Sequence, residues 1–109
     1  MEFDSYDYAL TLSAEQDLDE ILDYISVKLL NPDAASGFVN ALESKIEEIC
    51  MTPQIGSIVD NDFIKRNDVR LAHVKNYLIY YIVDELKKSI VILRIVLNRR
   101  NQEDIIKEL

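Results

Sequence analysis

The chain has 109 residues, of which 49% are hydrophobic, and its formal net charge is −8. This length suits one domain, and the hydrophobic content is far above that of a disordered chain. No apolar run approaches the ~18 residues of a membrane span, and the acidic N-terminus lacks the basic start of a signal peptide. We therefore expect a single cytoplasmic domain over residues 1–109, without a membrane partner.

The chain contains one cysteine and one histidine. A single cysteine excludes an internal disulfide, and Cys50 falls on an apolar helical stripe, where a small buried side chain is expected. One cysteine and one histidine do not make a zinc or iron site. We expect no metal and no cofactor.

The first two predicted elements are a strand and a helix. Apolar and polar side chains alternate in residues 6–12, as in a half-buried strand. Ser13 to Gln16 has the spacing of a capping box, which predicts that a helix begins there. Apolar residues then recur with helical spacing and form one stripe: Leu18, Ile21, Leu22, Ile25 and Leu29.

Asn31 and Pro32 end this helix and start a second one, with Asn31 as N-cap and Pro32 in the first turn. The second helix is predicted to end near Thr52 and Pro53. So short a connection makes the two helices an antiparallel hairpin. The second apolar stripe consists of Ala35, Phe38, Leu42, Ile46 and Ile49.

The rest of the chain is predicted to be mostly β-structure. Residues 54–68 are turn-rich and polar and predict an exposed loop, and residues 102–109 can form a short terminal helix. Strands are predicted at 69–75, 77–83 and 89–97, the last two as a hairpin. The order β-α-α-β-β-β predicts an α+β fold, in which a three-stranded antiparallel meander and the first strand carry both helices on one face.

The last strand is apolar in both registers. We expect one register to face the helices: Val91, Leu93, Ile95 and Leu97. The other register contains Ile90, Ile92 and Val96, interrupted by Arg94. Two helices cannot cover both faces of a sheet, so either the terminal helix folds over the second face or a partner segment covers it. We favour the partner.

Charge is distributed unevenly along the chain. Residues 1–54 carry twelve acidic and two basic side chains, a net charge of −10, whereas residues 55–109 carry eight acidic and ten basic ones, a net charge of +2. Acidic solvent faces on the helices explain the first half. The second half offers a local anion site, for which the candidates are Lys65, Arg70, Arg94, Arg99 and Arg100. Alternatively, Arg99 and Arg100 pair with Glu103 and Asp104.

Motifs along nearly the whole chain resemble those of the RelE/ParE superfamily, the toxin halves of bacterial type II toxin–antitoxin modules. The resemblance rests on their order and spacing: Ala14-x-x-Asp17-Leu18-x-x-Ile21-x-x-Tyr24-Ile25, Pro32-x-x-Ala35-x-x-Phe38, Pro53-x-x-Gly56, Arg70, the strand Asn76 to Asp84, and Leu93 to Arg100. It implies a small toxin held inactive by a cognate antitoxin. Its target would be DNA gyrase, as for ParE, or ribosome-bound mRNA, as for RelE. The antitoxin would cover Ile90, Ile92 and Val96.

The two targets require different chemistry. Metal-independent RNA cleavage needs a proton carrier as well as cations that stabilise the phosphate. In the family pattern a His or Tyr often ends the last strand, an aromatic residue follows the arginines, and an Arg follows the Tyr-Tyr pair. This chain has Leu97, Gln102 and Ile82 at these positions. The resemblance therefore leaves charge stabilisers without an evident proton carrier, and the catalytic candidates among them are Arg70, Arg99 and Arg100, with Arg94 as a further stabiliser.

His73 is the remaining candidate for that role, although the alternation of a strand places it on the face opposite to Arg70. We therefore favour a ParE-like toxin that acts by binding gyrase and is not an enzyme. A RelE-like metal-independent mRNA interferase is the alternative. A degenerate toxin that binds only an antitoxin or another copy of itself is a further alternative.

Overall fold

The computed structural model describes residues 5–59 and 66–98. Two helices are described, α1 (Leu12–Asp23) and α2 (Pro32–Met51), and a π-helical turn (Tyr24–Lys28) continues α1. A short 3₁₀ turn (Pro53–Ile55) follows α2. The strands are β1 (Asp7–Leu10), β2 (Ser57–Ile58), β3 (Arg70–Val74), β4 (Tyr77–Asp84) and β5 (Ser89–Leu97). The predicted helix at 102–109 lies outside the described residues.

The strands form one sheet in the order β1-β5-β4-β3-β2. β3, β4 and β5 form the predicted antiparallel meander, whereas β1 pairs with β5 in parallel. The helical hairpin is the crossover that a parallel pair requires. The predicted α+β fold is confirmed. The short strand β2 lies in the segment predicted as a loop, where it pairs with β3.

The first helix begins earlier than the capping box predicts. Its N-cap is Thr11, whose Oγ1 accepts a hydrogen bond from the Ala14 amide at 3.1 Å and donates one to the Leu93 carbonyl at 2.9 Å. Thr11 is preferred over Ser13 because its hydroxyl also satisfies a backbone carbonyl of β5. The predicted N-cap of α2 is confirmed, since Asn31 Oδ1 accepts from the Ala34 amide at 3.1 Å.

Both helices bury their apolar stripes against β4 and β5 in a helix-facing cluster whose buried members include Ile21, Phe38, Ile79 and Ile92. The stripe of α2 is as predicted. Leu29, predicted to close the stripe of α1, is instead 54% exposed. The π-helical turn explains this, because its wider backbone changes the angle at which later side chains leave the helix.

The predicted facing of β5 is wrong in its first half. Ile90 and Ile92 are fully buried in the helix-facing cluster, and Leu93 packs with Leu78 and Tyr80 in an outer cluster made only of strand and loop residues. The cause is a β-bulge. Ile92 pairs with Tyr81 and Arg94 pairs with Tyr80, which leaves Leu93 as the extra residue.

One extra residue reverses the alternation of a strand beyond it. Ile95 therefore faces the helices, as predicted, and Val96 packs on the outer cluster. Of the three residues expected on the second face, only Val96 lies there. Whether an antitoxin contacts it remains a prediction.

The segment after α2 is fixed to the sheet by a buried tyrosine. The Tyr81 hydroxyl donates to the Pro53 carbonyl at 2.8 Å and accepts from the Gly56 amide at 2.9 Å. Gly56 is required by this close approach, because a Cβ atom there would lie 2.6 Å from the Tyr81 hydroxyl oxygen and 2.8 Å from the Leu71 carbonyl oxygen.

The two glycines of the chain should respond oppositely to alanine. Gly56→Ala should destabilise the fold by about 1–3 kcal/mol, because displacing the Tyr81 hydroxyl leaves two buried backbone groups unpaired. Gly37→Ala should stabilise it by about 0.5–1 kcal/mol, since Gly37 lies inside α2 and a Cβ atom there meets nothing within 4 Å. Urea unfolding of both variants tests this. Equal effects would contradict the packing described for Gly56.

Candidate functional site

A groove of about 970 Å³ lies between the helical hairpin and the last half of β5. We call it the hairpin groove. Its described wall on one side is formed by α1, the π-helical turn and the start of α2, and on the other by residues 75–77 and 94–97. Phe38 and Tyr77 both line it, and their rings meet edge to face with centroids 4.9 Å apart.

An ion pair joins α1 to β5 at the edge of this groove. Arg94 Nε and Nη2 donate to the two carboxylate oxygens of Asp17 at 2.7 and 3.0 Å, and the Ile95 amide donates to Asp17 Oδ2 at 2.9 Å. The Arg94 and Asp17 side chains are only 19% and 11% exposed. β1 pairs with β5 no further than Ile92, so Asp17 accepts from β5 beyond the end of β1.

This pairing bears on the predicted role of Arg94 as a phosphate-binding or target-binding residue. Its guanidinium is engaged by a carboxylate in the bidentate geometry that a phosphate would also use. A phosphate would have to compete with Asp17 for the same donors. The predicted role remains a prediction, and the contact that the structure shows is structural.

Arg70 also has protein acceptors. Its Nη1 donates to the Gln54 carbonyl at 3.1 Å and to the Gly56 carbonyl at 2.6 Å. It lies opposite Tyr81 in the sheet, so both residues hold the segment that follows α2. Arg70 thus has a structural function whether or not it also contacts a target.

The structure does not bring His73 to Arg70. His73 is exposed and lies opposite Leu78 of the outer cluster, whereas Arg70 lies opposite Tyr81 of the helix-facing cluster. The prediction that the two side chains point to opposite faces is confirmed. They cannot act together as proton carrier and phosphate ligand without a large rearrangement.

Burial raises the pKa of three other titratable groups, two tyrosines of β4 and the cysteine of α2. Burial raises the pKa of Tyr80, and burial also raises the pKa of Tyr81, whose hydroxyl already has two partners. A raised pKa disfavours the phenolate form that a general base requires. Burial likewise raises the pKa of the Cys50 thiol, with a smaller contribution from Asp7. Cys50 is 7% exposed, as expected for a buried small side chain.

Three predicted site residues, Lys65, Arg99 and Arg100, lie outside the described residues. Over residues 5–59 and 66–98, no group of three or more His, Cys, Asp and Glu side chains is arranged to hold a metal ion. None of the helices in these ranges combines the length and apolar composition needed to cross a membrane.

The sequence reasoning missed the hairpin groove and the partner of Arg94. Asp17 was among the acidic residues that we expected on the solvent-exposed faces of the helices. Only its place within the motif Ala14-x-x-Asp17-Leu18 distinguishes it from Asp19 and Glu20. No local pattern relates a residue of α1 to one 77 positions later in the chain.

Solved structures share this fold. A toxin–antitoxin complex, the chromosomal ParDE system of P. aeruginosa, superposes with a TM-score of 0.68 at 22% identity, over 88% of this chain and 99% of that one. RelBE2 of Mycobacterium tuberculosis gives 0.61 at 19% identity, over 85% and 98%. The isolated RelE toxin of E. coli gives 0.59 at 14% identity, over 96% and 100%. The fold is therefore that of the RelE/ParE toxins.

The family follows from the sequence itself. Residues 8–102 match the family described as the ParE toxin of the type II toxin–antitoxin system parDE. The chain therefore belongs to the ParE toxin family. None of the curated proteins compared with the sequence matches it.

Asp17→Asn should lower the free energy of unfolding by about 1.5–3 kcal/mol, because it leaves the largely buried Arg94 guanidinium without its carboxylate. Asp19→Asn is the matched control on the exposed side of α1 and should change it by no more than about 0.5 kcal/mol. The double variant Asp17→Asn with Arg94→Gln should lose less free energy of unfolding than the sum of the losses in the two single variants. Urea unfolding of the wild type, both single variants, the double variant and the control measures these changes, and additive changes would show that the pair contributes nothing.

Proposed function

We propose that this chain is a ParE-like toxin that arrests growth by binding DNA gyrase and is held inactive by a cognate antitoxin. The family match supports a toxin of the parDE type. Similar folds occur in the ParDE and RelBE toxin–antitoxin complexes and in the archaeal RelE–RelB complex, which supports an antitoxin partner here.

The observation that carries the choice of gyrase is the separation of Arg70 from His73, the candidate proton carrier among the described residues. Arg70 contacts the segment after α2, Arg94 contacts Asp17, and His73 lies on the opposite face from Arg70. A general acid or base accelerates RNA cleavage by about 10²–10⁴-fold. The position of His73 on the face opposite to Arg70 therefore favours binding over bond cleavage.

A RelE-like ribonuclease is the second candidate. It is favoured by the basic character of residues 55–109 and by the arginines Arg70, Arg99 and Arg100, which match the superfamily pattern. The net charge of −8 opposes it, because affinity for mRNA depends on neutralising phosphates.

Induced expression should arrest DNA replication before translation. In vitro, the purified chain should inhibit supercoiling by gyrase and should leave ribosome-associated mRNA intact. Pulse labelling with thymidine and methionine separates the two effects in cells, and mapping of transcript ends checks for cleavage. Transcript ends at codon boundaries, with gyrase unaffected, would establish the RelE-like alternative.

The double change Arg99→Ala and Arg100→Ala should relieve growth arrest by at least about tenfold in surviving colonies if these arginines contact the target. Lys28→Ala with Lys45→Ala removes the same charge from the helical hairpin and should leave toxicity unchanged. Circular dichroism must show both variants folded. Full toxicity of the folded arginine variant would remove both residues from the site.

A further inference from the structure

A second groove, with a volume of about 620 Å³, lies between the beginning of β1 and the end of α2. We call it the β1 groove. It is lined by residues 5–8 and by four residues of α2: Ile46, Glu47, Cys50 and Met51. It shares no lining residue with the hairpin groove, and its described lining contains none of the predicted site residues. Its volume falls within the range of roughly 300–1,000 Å³ that is typical of small-molecule sites.

The described lining of the β1 groove carries charge of one sign. Asp7 and Glu47 are both exposed, and no Lys or Arg is among the described lining residues. Lys88, whose carbonyl accepts from the Asp7 amide at 3.0 Å, lies outside this lining. A cation that enters the groove therefore meets two carboxylates, which attract it.

The thiol of Cys50 reports the effect of these carboxylates inside the groove. Cys50 is 7% exposed, and its thiol is bonded to none of the described residues, so a buried polar group there lacks a partner. Burial raises the pKa of the thiol, and the charges of Asp7 and Glu47 raise it further. The same two charges that disfavour a thiolate stabilise a cation in its place.

The rest of the lining favours a ligand with an apolar body. Ile46 is buried, and Met51 is 58% exposed. Tyr6 and Tyr8 add aromatic rings, whose faces attract cations. In the part of the chain that the structure describes, no group of three or more His, Cys, Asp and Glu side chains is arranged to hold a metal ion. The lining therefore fits an organic cation better than a metal ion.

We propose that the β1 groove binds a small organic cation, in which an ammonium or amidinium group meets Asp7 and Glu47 and an apolar body packs on Ile46 and Tyr6. An amidinium can donate two parallel hydrogen bonds to a carboxylate, as the guanidinium of arginine does. This site goes beyond the proposed function, since it takes a small molecule at a surface separate from the hairpin groove.

Two probes with the same ring and opposite charge, benzamidinium and benzoate, test this chemistry on the full chain. For a ligand of this size we expect benzamidinium to bind with a dissociation constant on the order of 1 mM. Benzoate should bind at least about tenfold more weakly. In ¹H–¹⁵N NMR titrations at constant ionic strength, benzamidinium should shift the amide signals of Tyr8, Glu47 and Cys50. The signal of Phe38, which lines the hairpin groove, should stay in place.

A pair of variants separates the groove from the overall charge. Asp7→Asn with Glu47→Gln should weaken benzamidinium binding by about tenfold or more. Asp19→Asn with Asp33→Asn removes the same charge from exposed positions outside the described lining and should leave binding within about twofold. Equal weakening by both pairs would overturn the proposal, because the net charge of −8 alone would then account for the attraction. Equal binding of the two probes would overturn it as well.

The single cysteine of the chain gives a second readout. The Cys50 thiolate attacks the sulfur of a methanethiosulfonate, so that a disulfide forms and methanesulfinate leaves. The reagent that carries a trimethylammonium group should modify Cys50 faster than the one that carries a sulfonate. This preference should be at least about tenfold larger than at the exposed cysteine of Ser36→Cys with Cys50→Ala.

Mass spectrometry measures these rates, and benzamidinium should slow the labelling of Cys50. The same preference at both positions, or no labelling of Cys50 by either reagent, would overturn the proposal.

Another part of the same protein is the alternative occupant. Tighter benzamidinium binding after removal of residues 2–4, or after dilution, would show that the N-terminus or a second copy fills the groove, and would overturn the proposal. The proposed function can fail separately. A chain that does not inhibit gyrase, yet binds benzamidinium through Asp7 and Glu47, would contradict the proposed function and support the β1 groove.

Discussion

The carboxylate of Asp17 holds the two layers of this fold together at the point where the sheet would otherwise be open. β1 ends at Leu10, but β5 continues to Leu97, so on its β1 side β5 has no strand partner beyond Ile92. The Thr11 hydroxyl donates to the Leu93 carbonyl, and Asp17 accepts from the Ile95 amide. Because the same carboxylate pairs with Arg94, α1 is fixed beside β5, and the hairpin groove exists between them.

Two local irregularities then decide which side chains reach the surface. The bulge at Leu93 directs Ile90 and Ile92 inward and Val96 outward, and the π-helical turn directs Leu29 outward. Neither feature is a defect of the fold, since each lies where an element meets the groove or the outer face. Both show how a local irregularity changes the side chains that a surface presents without changing the topology.

Local sequence patterns predicted both helices and four of the five described strands. They did not predict which side chains of β5 and of the end of α1 face the core. The stripe of α2, its N-cap Asn31 and the meander of β3 to β5 follow from local spacing, which the packed structure obeys. The bulge and the N-cap Thr11 depend on backbone partners from distant parts of the chain, such as Leu93 for Thr11, and local spacing contains no signal for them. The ion pair of Asp17 with Arg94 and the hydrogen bonds of Arg70 likewise join residues that are far apart in the sequence. The order of the motifs identified the superfamily because the motifs lie in nearly all of these elements and therefore describe the whole fold.

The arginines of this chain suggest an anion-binding site, whereas its net charge is negative. Arg70 and Arg94 both donate to acceptors of their own chain, and the helices add a strong negative field. A phosphate backbone would have to displace these contacts and overcome that field, at a cost that rises with each phosphate bound. A protein surface with its own basic residues gains from the same field. The electrostatics of the described residues therefore support our proposal of a toxin that recognises proteins, both as its target and as its inhibitor, over one that recognises RNA.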